Sequence, residues 1–226
     1  MTRLCTSVDE AVSGIADGST VLIGGFGTAG MPFDLIEGLI RQGARDLTVV
    51  SNNAGNADTG LAALLAAGQV RKIVCSFPRQ TDSWVFEELY RNGKIELEVA
   101  PQGSLAERLR AAGAGIGGFY TRTGVGTLLA EGKETREIDG RTYVLELPIA
   151  ADVALISAHT ADTLGNLVYR KTARNFAPVM ATAATTTVVQ VRHVVEPGVL
   201  DPEAVVTPGI YVDRIVRVAA VQGRAA

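Results

Sequence analysis

Short β-prone runs, each followed at once by a glycine- or amide-rich turn and then by a helical pattern, repeat along the first half of this chain. Thr20–Ile23 leads into Gly24, Gly25, Gly27 and Gly30. A helical run over 33–41 follows, in which Leu35, Ile36, Leu39 and Ile40 recur at helix spacing, with Pro32 at its mouth and Gly43 at its end. Leu47–Val50 leads into Ser51, Asn52, Asn53 and Gly55, then a small-residue helix over 61–67. Val70–Cys75 exits through Ser76, Phe77 and Pro78 toward an amphipathic helix over 84–91. A fourth run, 95–100, opens into Pro101, Gln102, Gly103 and Ser104, with Ser104 as the expected cap of a helix over 105–112. Strands separated by whole helices are joined by crossovers, and crossovers join parallel strands. The pattern therefore predicts an α/β fold: a mainly parallel sheet covered by helices, with glycine-rich loops at the carboxyl ends of the strands. Ligands of such sheets bind at those ends, where this chain concentrates Gly, Asn and Gln.

Residues 113–142 break the rhythm. Gly113, Gly115, Gly117, Gly118, Gly124 and Gly126 crowd together, and a charged stretch ends in a turn at Asp139 and Gly140 before a strand over 143–146. A long loop inside a compact domain usually has a function, so this insertion is expected to line a ligand channel or a subunit interface. Alternation then resumes, with strands over 153–157, 186–195 and 210–218, a turn at 162–166 and a helix within 175–184. The last residues, 223–226, are expected to fray.

With 226 residues, 47% of them hydrophobic and 20% charged, the chain can bury a core, which excludes wholesale disorder and favours one domain over residues 1–226. The 21 basic and 24 acidic side chains form no basic stripe, so no nucleic-acid partner is expected. Cys5 and Cys75 have no ligand or redox spacing, which fits free thiols in a reducing compartment. No apolar run is long enough to span a membrane and the start lacks a leader pattern, so a cytoplasmic location is expected, without membrane contact.

Gly25-Phe26-Gly27-Thr28-Ala29-Gly30 spells G-x-G-x-x-G between a strand and a helix. In that context backbone N–H groups and a helix N-terminus can hold an anion. A dinucleotide site also needs an acid at the end of the second strand, and no acid stands at Val50 or Ser51. Close packing of strand against helix is the plain alternative. The second copy, 113–118, follows a helix and has the wrong context. His159 and His193 are far apart in sequence and without partner ligands, so each is expected to be an ordinary surface or loop residue and no metal is expected. There is no nucleophile elbow, and Cys75 is expected to be a buried hydrophobe. The polar groups that converge are the amides Asn52, Asn53, Asn56 and Gln102. Amides orient ligands and stabilise oxyanions but rarely attack, so the inventory is half an active site.

The run from Asp17 through Gly24-Gly25-Phe26-Gly27-Thr28-Ala29-Gly30-Met31-Pro32 resembles the signature of the family I CoA-transferases. Ser51-Asn52-Asn53-Ala54-Gly55, Pro101-Gln102-Gly103-Ser104-Leu105-Ala106-Glu107-Arg108, Ala173-Arg174-Asn175-Phe176 and Thr207-Pro208-Gly209-Ile210-Tyr211-Val212 extend the likeness to nearly the whole chain. It is greatest to the A subunits of the 3-oxoacid enzymes, above all those acting on 3-oxoadipate. That resemblance implies transfer of CoA from succinyl-CoA to a 3-oxoacid. A glutamate of an obligate B subunit first attacks the thioester to give an anhydride, the released CoA thiolate attacks that anhydride, and the acceptor carboxylate resolves the resulting glutamyl-CoA thioester. This chain reads Ser51-Asn52-Asn53 at the corresponding place, with no glutamate, so no catalytic nucleophile is expected in it. The resemblance further implies that Gly24, Gly25, Phe26, Gly27, Thr28, Ala29 and Gly30 contact CoA and that Asn52, Asn53 and Gln102 orient substrate. It implies no bound cofactor, with CoA and succinyl-CoA as substrates, and a heterotetramer or larger assembly. Gly118, Arg122 and the 159–163 stretch depart from the family pattern and leave the acceptor open among 3-oxoadipate, acetoacetate and other short acids. The rival classes are a dinucleotide-dependent oxidoreductase and a non-catalytic CoA-binding module.

Overall fold

The computed structural model describes residues 2–219. Its elements run β1 (Arg3–Cys5), α1 (Val8–Ala11), β2 (Thr20–Ile23), α2 (Phe33–Gln42), β3 (Leu47–Val50), α3 (Leu61–Ala66), β4 (Val70–Cys75), α4 (Trp84–Arg91), β5 (Glu96–Val99) and α5 (Gln102–Gly113). There follow β6 (Phe119–Thr121), β7 (Thr135–Ile138), β8 (Arg141–Glu146), β9 (Ala151–Ser157), β10 (Thr160–Asp162), β11 (Leu167–Val168), α6 (Ala177–Thr182), β12 (Ala184–Val191), β13 (His193–Val195) and β14 (Arg214–Arg217).

Eight strands form one sheet in the order β1-β14-β12-β9-β2-β3-β4-β5, and every pairing in it is parallel. Alternate residues of each strand feed opposite faces, as the two-residue period of a strand requires. Val21, Ile23, Ile73, Cys75 and Leu155 face one core together with α1 to α4, while Leu22, Val74, Ala154 and Ile156 face the other with α5 and α6. Burial on both faces is what makes these strands continuous apolar runs. From β2 the chain winds outward through β3, β4 and β5. It then returns to lay β9 against the other side of β2 and winds the opposite way. The carboxyl ends of β2 and β9 therefore flank the point where winding reverses, the usual ligand crevice of such sheets.

Several expectations need correction. The break at 113–142 is part of a small sheet over residues 119–146, in the antiparallel order β6-β8-β7, with the hairpin at Asp139 and Gly140 as expected. Gly113 ends α5 and packs against α6, where an added Cβ would lie 2.6 Å from Thr182 Cβ. Ser104 is not a cap. The fixed φ of Pro101 (−50°) starts α5 three residues early, leaving Ser104 buried inside the first turn. The run 186–195 splits at Arg192 into strands of two different sheets, and 210–218 begins as a 3₁₀ turn (Gly209–Tyr211) before β14. β1 and α1 leave no sequence signal, because a three-residue strand and a one-turn helix carry no period; Ser7 Oγ caps α1 by accepting from the Glu10 N–H. The fraying expected at 223–226 lies outside the described residues. Among the described residues, no helix is long and apolar enough to cross a membrane.

Candidate active site

Two loops leave adjacent strands, the first from β2 at the reversal point and the second from β3 beside it. In the first, Gly24 N–H extends the ladder to the Leu155 carbonyl at 3.0 Å. Phe26 and Ala29 then exchange N–H···O bonds of 3.0 and 3.1 Å across a two-residue turn, with Gly27 in the left-handed region at φ +60°. Asn175 straps this turn to the body of the protein. Its Oδ1 accepts from the Gly25 N–H at 3.1 Å, and its Nδ2 donates to the Ala29 carbonyl at 2.9 Å. Gly30 must be glycine there: it has φ +71°, and an added Cβ would run into the Ala173 carbonyl and lie 2.9 Å from Asn175 Nδ2.

The helix that follows is not the anion site the motif suggests. The Asp34 and Leu35 N–H groups both donate to Gln190 Oε1 at 3.1 Å, and Gln190 Nε2 donates to Asp34 Oδ2 at 3.2 Å. Gln190, on β12 and only 6% exposed, thus occupies the donors a phosphate would use, beside a carboxylate that would repel it. The N–H groups of Gly27, Thr28 and Gly30 keep no protein partner among the described residues. The anion-holding capacity of this loop therefore lies in its turn rather than in the helix behind it.

The second loop follows β3. Asn52 Oδ1 accepts from Gln102 Nε2 at 2.8 Å and from Ser76 Oγ at 2.9 Å, so the loops after β3, β4 and β5 meet on one amide. Asn53 is fully buried. Its Oδ1 accepts from the Gly55 N–H at 2.8 Å while its Nδ2 has no partner. Ser51 Oγ, Asn56 Oδ1 and Ser104 Oγ are likewise buried and unpartnered among the described residues. Native proteins leave few such atoms, and these lie within two segments joined by the Asn52–Gln102 bond.

Asn52 and Gln102 are thus brought together as expected, with Asn53 beside them in sequence and the glycine loop on the neighbouring strand end. Ser76, Asn175 and Gln190 are the residues that reading the sequence missed. Asn175 stands in a quoted motif that signalled something without saying what, whereas Gln190 sits in a β run that gives no sign. No carboxylate lies within the 51–56 segment. Burial pushes the Cys75 thiol up to about 12, so it supplies no thiolate. His159 and His193 are not the separate residues expected. β10 pairs beside β13 and sets the rings edge-on, with centroids 5.2 Å apart. Burial first, then His193, Arg170 and Arg192, hold the His159 imidazole below its usual value. No cluster among the described residues could hold a metal ion. The arrangement can orient a carboxylate or carbonyl and stabilise developing negative charge, and it brings no nucleophile of its own.

A relay of ion pairs runs through Arg108, on the helix that begins with Gln102. Lys133 meets Glu146 (2.6 Å), Arg108 meets Glu146 (3.8 Å) and Glu98 (2.8 Å), and Glu98 meets Lys72 (2.6 Å). Helix α5, which carries Gln102, is thereby tied to both sheets. Burial pushes the Glu98 carboxyl up, but the hydrogen bonds and charges of Lys72 and Arg108 outweigh it and hold the carboxyl below the usual range.

The glycine turn, the amide cluster and the strands that carry them all lie within the span of one family match. The coenzyme A transferase family model fits residues 5–218, and the chain belongs to that family. Within it, the chain is 69% identical over 220 residues to the A subunit of 3-oxoadipate CoA-transferase from Pseudomonas putida, covering 97% of this chain and 94% of that one. It is 63% identical over 224 residues to the subunit of the same name from Acinetobacter baylyi, covering 99% and 98%. Among solved structures it superposes on an acyl-CoA transferase from Escherichia coli O157:H7, in thioester complex with CoA, at a TM-score of 0.86 and 27% identity. That match covers all of this chain and 49% of the other, so the chain spans about half the length of that relative.

Proposed function

We propose that this chain is the A subunit of a CoA-transferase that moves CoA from succinyl-CoA to a 3-oxoacid, with 3-oxoadipate as the acceptor, and that it acts only with a B subunit. One observation carries the reading: buried amides and hydroxyls are assembled around the Asn52–Gln102 bond, several of them unpartnered, with no carboxylate among them. Such a cluster awaits a substrate and a nucleophile from outside. The names and high identity of the relatives support the pairing and the acceptor. In this reading Asn52, Asn53 and Gln102 orient the acyl and acceptor carboxylates. The turn amides after β2 meet CoA, and the partner's glutamate supplies the covalent step. The described chain then works as one domain in the cytoplasm, its 119–146 sheet lying at the edge of the shared site. A dinucleotide oxidoreductase is disfavoured, because Ser51 stands where a ribose acid is needed and Gln190 blocks the helix behind the loop.

The test is a CoA-transfer assay with succinyl-CoA as donor and 3-oxoadipate or acetoacetate as acceptor, run with this chain alone and with the B subunit. Turnover only in the pair, with 3-oxoadipate preferred, is expected. Turnover by the chain alone would mean that a nucleophile lies within it. A stable, CoA-binding pair with no turnover on any acceptor would favour a non-catalytic CoA-binding module.

A further inference from the structure

A cavity of about 60 Å³ lies at the carboxyl ends of β9 and β12, and none of its lining residues belongs to the amide cluster. Three short connections meet on it: His159 stands between β9 and β10, Arg170 follows β11, and Arg192 stands between β12 and β13. Backbone hydrogen bonds fix these positions against one another. The His159 N–H donates to the Val168 carbonyl at 2.9 Å, and the His159 carbonyl accepts from the Arg192 N–H at 3.2 Å. Among the described residues neither Arg170 nor Arg192 forms an ion pair. Both guanidiniums lie close enough for their charges to act on the His159 imidazole. The one carboxylate among the described lining residues, Asp34, is engaged with Gln190, whose Nε2 donates to it at 3.2 Å. Like charges therefore crowd one enclosed place, and an anion from outside would answer them. Guanidinium forks match the paired oxygens of a carboxylate or a phosphate. A cavity of this size holds several waters or one such group, with no room for a nucleotide.

We propose that Arg170, Arg192 and His159 form a binding site for one small oxyanion, a carboxylate or inorganic phosphate, apart from the transfer site. The site does not depend on the CoA-transferase reading. Gly30 and Gln190 also line the cavity, and they seat the glycine loop and close the start of α2, so a bound anion braces the support of that loop. The groups facing the His159 imidazole are His193, Arg170 and Arg192, with Asp34 on the same cavity wall. An anion that offsets the two guanidiniums favours the protonated imidazole, so binding takes up a proton and strengthens as pH falls.

The experiment is a calorimetric titration of the complex of this chain with its B subunit, at ionic strength fixed with sodium chloride. Inorganic phosphate and acetate are separate arms, which distinguish the two sources of the oxyanion. Saturable binding of one of them, at one site per copy of this chain, is expected, and Arg170→Ala with Arg192→Ala weakens it by roughly tenfold or more. His159→Gln retains binding but loses the proton uptake, read from the dependence of the heat on the buffer's own ionisation heat. That single variant keeps the test open where the double variant does not assemble. No saturable binding in either arm, an unchanged affinity in the double variant, or unchanged proton uptake in His159→Gln would overturn the proposal. Displacement of the anion by CoA or succinyl-CoA would overturn it too, by placing the cavity within the transfer site. A complex that binds the anion but transfers no CoA would uphold this site and sink the proposed function instead.

Discussion

The loops after β2 and β3 leave neighbouring parallel strands, yet they treat their polar groups in opposite ways. Behind its tip, the glycine loop is settled within the protein. Asn175 satisfies Gly25 and Ala29, Gln190 satisfies the start of α2, and Gly30 seats against the backbone of 173. The asparagine loop is unsettled: Ser51 Oγ, Asn53 Nδ2 and Asn56 Oδ1 stay buried without partners. The first loop is a finished support with a few free amides at its tip, and the second carries desolvated groups whose cost only a bound species can recover. Chemistry is therefore expected at the second loop and positioning at the first.

The largest expected effect tests that division directly. In the assembled complex, Gln102→Ala, at an exposed position, lowers kcat/KM for CoA transfer by about 10²- to 10³-fold, the scale of losing an oxyanion donor, while the melting temperature changes little. A pure stability loss with intact turnover would reverse the roles of the loops. Asn175→Ala comes next. It strips partners from Gly25 N–H and Ala29 C=O and costs roughly 1–3 kcal/mol in chemical denaturation. Asn175→Asp, which keeps the acceptor for Gly25, costs less. Local hydrogen exchange confined to residues 24–31 should rise in the alanine variant, and unchanged protection there would show that the strap holds nothing.

A third effect concerns the relay through Arg108. Glu98 is held below the usual carboxylate range, so the folded state binds fewer protons than the unfolded one as pH falls below about 4.3. Its stabilisation is present above that value and disappears as pH drops through the lowered one. Glu98→Gln should therefore weaken the fold at neutral pH and flatten the acid limb of a denaturation profile. An acid limb identical to wild type would show that the relay contributes nothing. The smallest effect is a gain. Ser104→Ala removes an unpartnered hydroxyl from inside α5 and favours the helix, adding about 0.5–1 kcal/mol to stability. If turnover falls as stability rises, the hydroxyl belongs to the site.

Much of this is legible in the residues alone. The strand-turn-helix rhythm locates β2 to β5 and α2 to α5 within a few residues, because strands buried on both faces are apolar throughout and helices between them show one apolar stripe. The convergence of Asn52 and Gln102 follows from placing both at strand carboxyl ends. What stays hidden depends on long-range contact. No local pattern says that Asn175 reaches the glycine loop or that Gln190 closes α2, since each partner lies about 150 residues away in sequence. Ser104 misleads for the opposite reason: its local preference as a cap is real, but the proline three residues earlier has already begun the helix. The histidines mislead because a split in one β run, at Arg192, folds two distant segments side by side.

Gln190 has a further consequence, in the order of assembly. The first free amides of α2 belong to residues 34 and 35, and the group that satisfies them arrives 155 and 156 residues later in the chain. A nascent chain that has made only its first half must leave those amides to water. In the folded chain β12 supplies the group that locks them, so the start of α2 and the C-terminal half of the sheet are expected to gain protection together, which pulsed hydrogen exchange during refolding would check. The amide protons of Asp34 and Leu35 are thus a built-in clock for completion of the sheet.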